Sequence, residues 1–232
     1  MKTIVQQAIF SISATIVFSL TYFIVMDWLK RNKNADRGSR TEALFLFKKV
    51  LGCLLLGVVP AVTAWGIFRF SPVQAGLHWK EAESVWLMTA GASIFFILLN
   101  LLNSRSAKLR TMYPELRTRE WGFERLLIVW GGWALYLTGY EYLFRGLLLF
   151  SCYEAFGAWP AVAINLTLYF ALHLPKGMKE AVATIPFGAL ICYLTLESQS
   201  ILPAIFIHAI QAISCETACI WRNPEMKFKF IK

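Results

Sequence analysis

Four side chains stand out in a chain that offers little else for chemistry. Glu141 and Arg145 lie in "LTGYEYLFRGLLLF" (137–150), His173 in "YFALHLPKG" and His208 in "SILPAIFIHAIQA". Glu141 and Arg145 are four residues apart, so on a helix they share a face and can pair. A cation beside a buried carboxylate favours its ionised form. Of the chain's three histidines, two fall in or at the edge of apolar runs. Ionisable groups in such runs cost about 2.5–3.5 kcal/mol each on insertion scales. A structural ion pair tying helices together is the competing reading of Glu141 and Arg145 taken alone. Two imidazoles at compatible depth point instead to a site.

One carboxylate with two imidazoles suits the activation of water. The carboxylate can take a proton from water as general base, and the imidazoles can donate to the oxyanion of a tetrahedral intermediate. Alternatively, His173 and His208, with Glu141, hold a divalent metal such as zinc, whose bound water is the nucleophile. Other hydrolase signatures are missing from the sequence. There is no HExxH and no GxSxG. The only aspartates, Asp27 and Asp36, both flank the first polar loop, which excludes an intramembrane aspartate pair.

The elements that must position these residues are long apolar helices. The chain is 57% hydrophobic and 16% charged, with a mean hydropathy of +0.54. Apolar runs of membrane-spanning length, about 17–25 residues, recur along it. We read an all-α polytopic integral membrane bundle of about seven to eight transmembrane helices. The N-terminal helices and their loops occupy 1–110, and the segment bearing the chemistry 111–232. The first apolar run is too long for a signal peptide and is followed by "MDWLKRNK", so it reads as a retained helix. The net charge of +9 sits in loops, which suits an anionic leaflet; no basic stripe interleaved with aromatics supports nucleic-acid binding. Five cysteines, scattered through apolar segments without a CxxC, read as packing residues.

Seven spans are expected: about 4–26, 44–68, 83–102, 133–155, 158–173, 181–196 and 200–221. The Gly131-Gly132 pair is expected to break the fourth span from an interfacial piece before it. Basic residues decide the orientation. Lys30, Arg31, Lys33, Arg37 and Arg40 mark one loop as cytoplasmic, and Arg105, Lys108, Arg110, Arg117, Arg119 and Arg125 another. Seven crossings then put Lys176, Lys179, Arg222, Lys227, Lys229 and Lys232 inside too, with the N-terminus outside. On this topology Glu141, His173 and His208 meet in the cytoplasmic half of the bilayer. The membrane expected is a bacterial inner membrane.

The three segments quoted above resemble, in order and spacing, the motifs EExxxR, FxxxH and HxxxN of the CAAX prenyl protease and bacteriocin-processing (CPBP) family of intramembrane proteases. The resemblance covers roughly Tyr113 to Ile220. It implies peptide-bond hydrolysis in a membrane-embedded or membrane-adjacent protein or peptide, with prenylated substrates among those the family association suggests. Glu141 matches the second glutamate of the first motif, Arg145 its arginine, His173 and His208 the two histidines, and Tyr169 the aromatic position. Tyr140 stands where the first glutamate would be, and Ala212 where the final asparagine would be. Either Glu141 has become the base, or the chain keeps the scaffold as a binding or immunity partner. The pattern also resembles a single-glutamate branch in which acids recur after the second and third motifs, here Glu180 and Glu216. Glu216 lies eight residues after His208, about 80° round the helix, so it could reach the same cavity.

Remaining features have structural readings. Pro114 is expected to break a helix, and Trp121 to anchor at the membrane interface. His78 belongs to an outer loop. Gly139, Gly146 and Gly188 are expected to let helices approach closely around the site. A proton-coupled carrier using the same ionisable groups is a third reading, although no internal repeat supports it.

Overall fold

A backbone in lipid must satisfy its own hydrogen bonds, and helices do so within one segment. The computed structural model describes residues 2–31, 40–80 and 82–229, and they are overwhelmingly helical. Helix α1 (Lys2–Arg31) is followed by α2 (Arg40–Cys53), which passes through a π turn (Leu54–Val58) into α3 (Val59–Phe68). Then come α4 (Glu83–Asn103), the short α5 (Ala107–Met112) and α6 (Phe123–Glu141). Helix α6 runs through a second π segment (Tyr142–Leu149) into α7 (Phe150–Phe156). The chain closes with α8 (Ala158–His173), α9 (Met178–Ser198) and α10 (Leu202–Arg222). Counting rods joined by π turns as one, the described residues form seven long helices, in line with the spans expected. Residues 32–39 of the first charged loop, including Lys33 and Arg37, and the terminal Lys232 lie outside the described residues.

Among the described residues, five helices are long and apolar enough to cross a membrane. The other two long rods carry Glu141, Arg145 and His173, and His208 lies on α10. The rod 123–156 is diluted by glycine, tyrosine and the Glu141–Arg145 pair, and α8 has only 16 residues. The rod is also the most deeply packed part of the bundle: all eight residues of its π segment are buried. Its leucines join Leu56, Leu137, Cys152, Cys192 and Ile201 in the main core, and Ser11 of α1 ties to Ser151 through their hydroxyls at 2.9 Å.

The Gly131-Gly132 pair does not break α6, which runs unbroken from Phe123. A single glycine in a helix costs only about 1 kcal/mol, and Gly132 is used for packing. A Cβ there would sit 2.8 Å from Phe45 Cε1. The expected close approaches are present. A Cβ on Gly57 would meet Gly139 Cα at 2.7 Å, one on Gly146 would meet the Ala75 carbonyl at 3.0 Å, and one on Gly188 would meet Leu166 Cδ2 at 2.7 Å.

At one end of the bundle, strands β1 (Glu120–Trp121) and β2 (Lys227–Phe228) pair in parallel. They bring the loop after α5 and the C-terminal tail together. Trp121 is not an interface anchor. It is fully buried in a second core with Phe45, Leu116, Leu126, Val129 and Ile220, and its Nε1 donates to the Thr118 carbonyl at 3.1 Å. The strand pairing draws the loop over the helix ends and covers the indole. Pro114 acts as expected: α5 stops at Met112 and Tyr113 is extended, the conformation a following proline imposes. At the opposite end, the amide of Ile201 donates to the Gly76 carbonyl at 2.9 Å and Ser200 Oγ to the His78 carbonyl at 2.7 Å. His78 thus lies in the loop after α3.

Candidate active site

Glu141 is the last residue of α6, and Arg145 lies within the π segment that follows. Such π segments occur often at functional sites. Both side chains are 0% exposed. Arg145 NH1 stands 3.1 Å from Glu141 Oε2, and its guanidinium carbon lies 4.8 Å from the Tyr169 ring centroid. The other carboxylate oxygen, Oε1, is 2.5 Å from His208 Nδ1 on α10. Glu141 is therefore gripped on both oxygens by groups able to carry positive charge. Its carboxylate fixes the tautomer of His208, since Nδ1 must hold the proton it donates. His208 Nε2 is then the ring atom left to act.

His173 joins through an aromatic wall. Its Nδ1 donates to the Tyr169 carbonyl one turn earlier, at 2.9 Å. In the neutral ring this leaves the lone pair on Nε2. The Tyr169 ring packs against His173 at 4.7 Å and against His208 at 6.4 Å between centroids. Tyr140 stacks on Phe144 at 4.5 Å and meets the His208 ring edge-on at 5.7 Å. Phe187 of α9 closes the other flank of His208 at 5.2 Å. Thus Glu141, Arg145 and His208 are in direct contact, and His173 is linked to them through Tyr169.

The site is rich in buried polarity without protein partners. The Tyr140 hydroxyl, Glu141 Oε2 and all three Arg145 guanidinium nitrogens make no hydrogen bond among the described residues, the Glu141–Arg145 contact being an ion pair. Buried polar groups are rarely left so, and here they gather beside the imidazoles. Asn165 was not singled out from the sequence. Fully buried on α8, it donates to the Phe144 carbonyl at 2.6 Å and accepts from the Cys192 thiol at 3.4 Å. It thereby pins α8 and α9 to the π segment. A lone asparagine in the apolar run "AVAINLTLYFAL" was the available signal.

Other expected residues lie elsewhere. Neither Glu180 nor Glu216 bonds to the Glu141–His208 pair. Glu180 is half-buried in the first turn of α9. Glu216 is fully buried, but it accepts from the backbone amide of Glu115 at 3.1 Å on each oxygen and from Trp133 Nε1 at 3.2 Å. The rotation of α10 that presents His208 to Glu141 turns Glu216 toward α6 nearer its start. Glu115 also binds Lys49 Nζ at 2.7 Å and Lys48 Nζ at 3.3 Å. Burial pushes the Glu115 carboxyl up, but the two lysines outweigh it and hold it below its ordinary range. Lys49 and Glu115 carried no signal in the sequence, because lysine and glutamate near helix ends are commonplace.

His208 lies about 9 Å along α10 from Leu202 and about 21 Å from Arg222. Because α6 starts at Phe123, Glu141 is about 27 Å from that start. As for metal, no three His, Cys, Asp or Glu among the described residues group to hold an ion. Both histidine Nδ1 atoms are committed and a guanidinium stands beside the carboxylate, so the two imidazole Nε2 atoms are the donors left, against the three protein ligands usual at a catalytic zinc.

No curated protein and no solved structure matches the chain. The stretch that carries Glu141, Arg145, His173 and His208, residues 122–213, matches the family model described as type II CAAX prenyl endopeptidase Rce1-like, the CAAX protease family that the motifs resemble.

Proposed function

We propose that this integral membrane protein is an intramembrane endopeptidase acting on a membrane-embedded or membrane-adjacent protein or peptide. The observation that carries the reading is the buried Glu141 held between Arg145 and His208, with His173 on the same aromatic wall. Glu141 was expected as the base. With Oε1 bonded to His208 and Oε2 ion-paired to Arg145, its carboxylate is better suited to orienting His208. In the proposed reaction, water attacks the scissile carbonyl carbon and gives its proton to His173 Nε2. His208, its Nδ1 bonded to Glu141, turns Nε2 toward the reacting carbonyl and, when that nitrogen carries a proton, donates it as a hydrogen bond to the oxyanion. Collapse of the intermediate breaks the C–N bond, and the proton on His173 passes to the leaving amine. Arg145 keeps Glu141 ionised, and Tyr140 lines the site in place of a second glutamate.

The orientation proposed is N-terminus outside and C-terminus in the cytoplasm of a bacterial plasma membrane. The β1–β2 pairing supports it, because it places the basic loop after α5 and the basic tail at one end. A scaffold without catalysis is the second reading, favoured by Tyr140 and Ala212 at the two motif departures. Purified protein incubated with membrane-anchored peptides separates the two. We expect new peptide ends with the wild type, retained in the presence of a chelator. Glu141→Gln should lose cleavage at least about 100-fold, the lower end of the cost of losing one preorganised electrostatic partner, while remaining folded. Full activity in Glu141→Gln would refute the role given to the carboxylate.

A further inference from the structure

The α6–α10 interface is polar at three levels. Trp130 Nε1 donates to Thr217 Oγ1 at 3.1 Å, Trp133 Nε1 to Glu216 at 3.2 Å, and His208 Nδ1 to Glu141 at 2.5 Å. The partners rise along α6 as they descend along α10, so the two helices are antiparallel and these contacts define their register. Between apolar helices in lipid, hydrocarbon packing alone selects register weakly, and polar contacts add the selectivity. A slip of one residue would carry His208 about 1.5 Å along and 100° round its helix, out of reach of Glu141.

The middle level is the elaborate one. The Trp133 indole holds Glu216 at its N–H, while its face receives the Lys49 ammonium at 3.1 Å from a ring centroid. Lys49, 3% exposed, bonds Glu115, whose backbone amide in turn donates to both Glu216 oxygens. Helix α2, the loop at Glu115, α6 and α10 thus converge on one buried carboxylate. Both of its oxygens accept the Glu115 amide, and Oε1 also accepts Trp133 Nε1. Between Glu216 and His208, position 212 is an alanine and offers α6 no polar contact.

We propose that Glu216, held by Glu115 and Trp133, both of which Lys49 braces, is a positioning residue that sets the register of α10 and so holds His208 against Glu141. The inference rests on the proteolytic reading only for its kinetic consequence. The test uses the purified protein in micelles with ¹⁵N-labelled histidine, the His208 signal being identified by its loss in His208→Gln. In wild type we expect the strongly downfield Nδ1 proton of a carboxylate-bonded imidazole. Glu216→Ala should lose that signal and lower kcat tenfold or more with KM within twofold, and Glu216→Gln, which keeps an acceptor for the Glu115 amide, should recover part of both. If Glu216→Ala does not fold, Lys49→Met, which keeps the stem and removes the charge, should weaken the same signal. An unchanged His208 signal in a folded Glu216→Ala or Lys49→Met protein overturns the proposal. If wild type cleaves nothing, the spectrum decides alone, and the failure belongs to the protease reading.

Discussion

Removing Arg145 tests the electrostatic logic of the site most directly. Its guanidinium stands 3.1 Å from Glu141, and both side chains are 0% exposed. At an effective dielectric constant near 20, unit charges at that separation attract by about 5 kcal/mol. Most of this offsets the desolvation of the two ions. Deleting one partner leaves the other charged and buried, which typically costs about 3–5 kcal/mol. His208 still holds one oxygen of Glu141, so the lower part of that range, about 3 kcal/mol, is expected for Arg145→Met. The double variant Glu141→Gln/Arg145→Met removes both charges and should be more stable than Arg145→Met alone. The assay is equilibrium unfolding of the purified protein in mixed micelles, arranged as a double-mutant cycle with Glu141→Gln. A coupling near zero, with each single substitution costing under about 1 kcal/mol, would refute the claim that Arg145 exists to neutralise Glu141.

Two further outcomes follow from the packing and the loop charges. Gly139→Ala should destabilise by about 1–3 kcal/mol through overpacking, because its Cβ would lie 2.9 Å from Cys53 Cα. Gly131→Ala, which meets nothing within 4 Å, should be neutral or stabilising by up to about 1 kcal/mol; unfolding curves of the two variants side by side check the contrast. Because the Glu115 carboxyl is held below its ordinary range in the folded protein by Lys49 and Lys48, its stabilising contribution is present above the ordinary carboxylate pKa. That contribution is lost as pH falls through the lowered value. The acid limb of a stability–pH profile should therefore be shallower in Glu115→Gln than in wild type.

Much of this protein was legible along the chain. Seven apolar stretches predicted seven long helices, because in lipid only a helix satisfies the backbone of a single segment. Glu141, Arg145 and His208 could be picked out because charge is costly there and therefore rare. The four-residue spacing of Glu141 and Arg145 even predicted their pairing. Rotation and register were not legible. A periodicity of 3.6 residues makes Glu216 a plausible neighbour of His208, yet α10 turns it toward Trp133 instead. The Gly131-Gly132 pair read as a break, although only a partner side chain, Phe45, shows that one of these glycines serves close contact. Trp121 looked like an interface tryptophan until the pairing of β1 with β2, more than a hundred residues apart, covered it.

The sequence by itself thus determined which groups are charged in an apolar medium, and hence which had to be paired, because the cost of burying charge is local and large. Only the tertiary structure decided how the pairs are made. His208 secures the oxygen that Arg145 leaves free, Tyr169 packs against both imidazoles, and Glu115 and Trp133, braced by Lys49, hold Glu216 from distant segments. Those contacts depend on how whole helices rotate and slide against one another. That is fixed by the sum of many small packing terms across the bundle, and no local pattern encodes it.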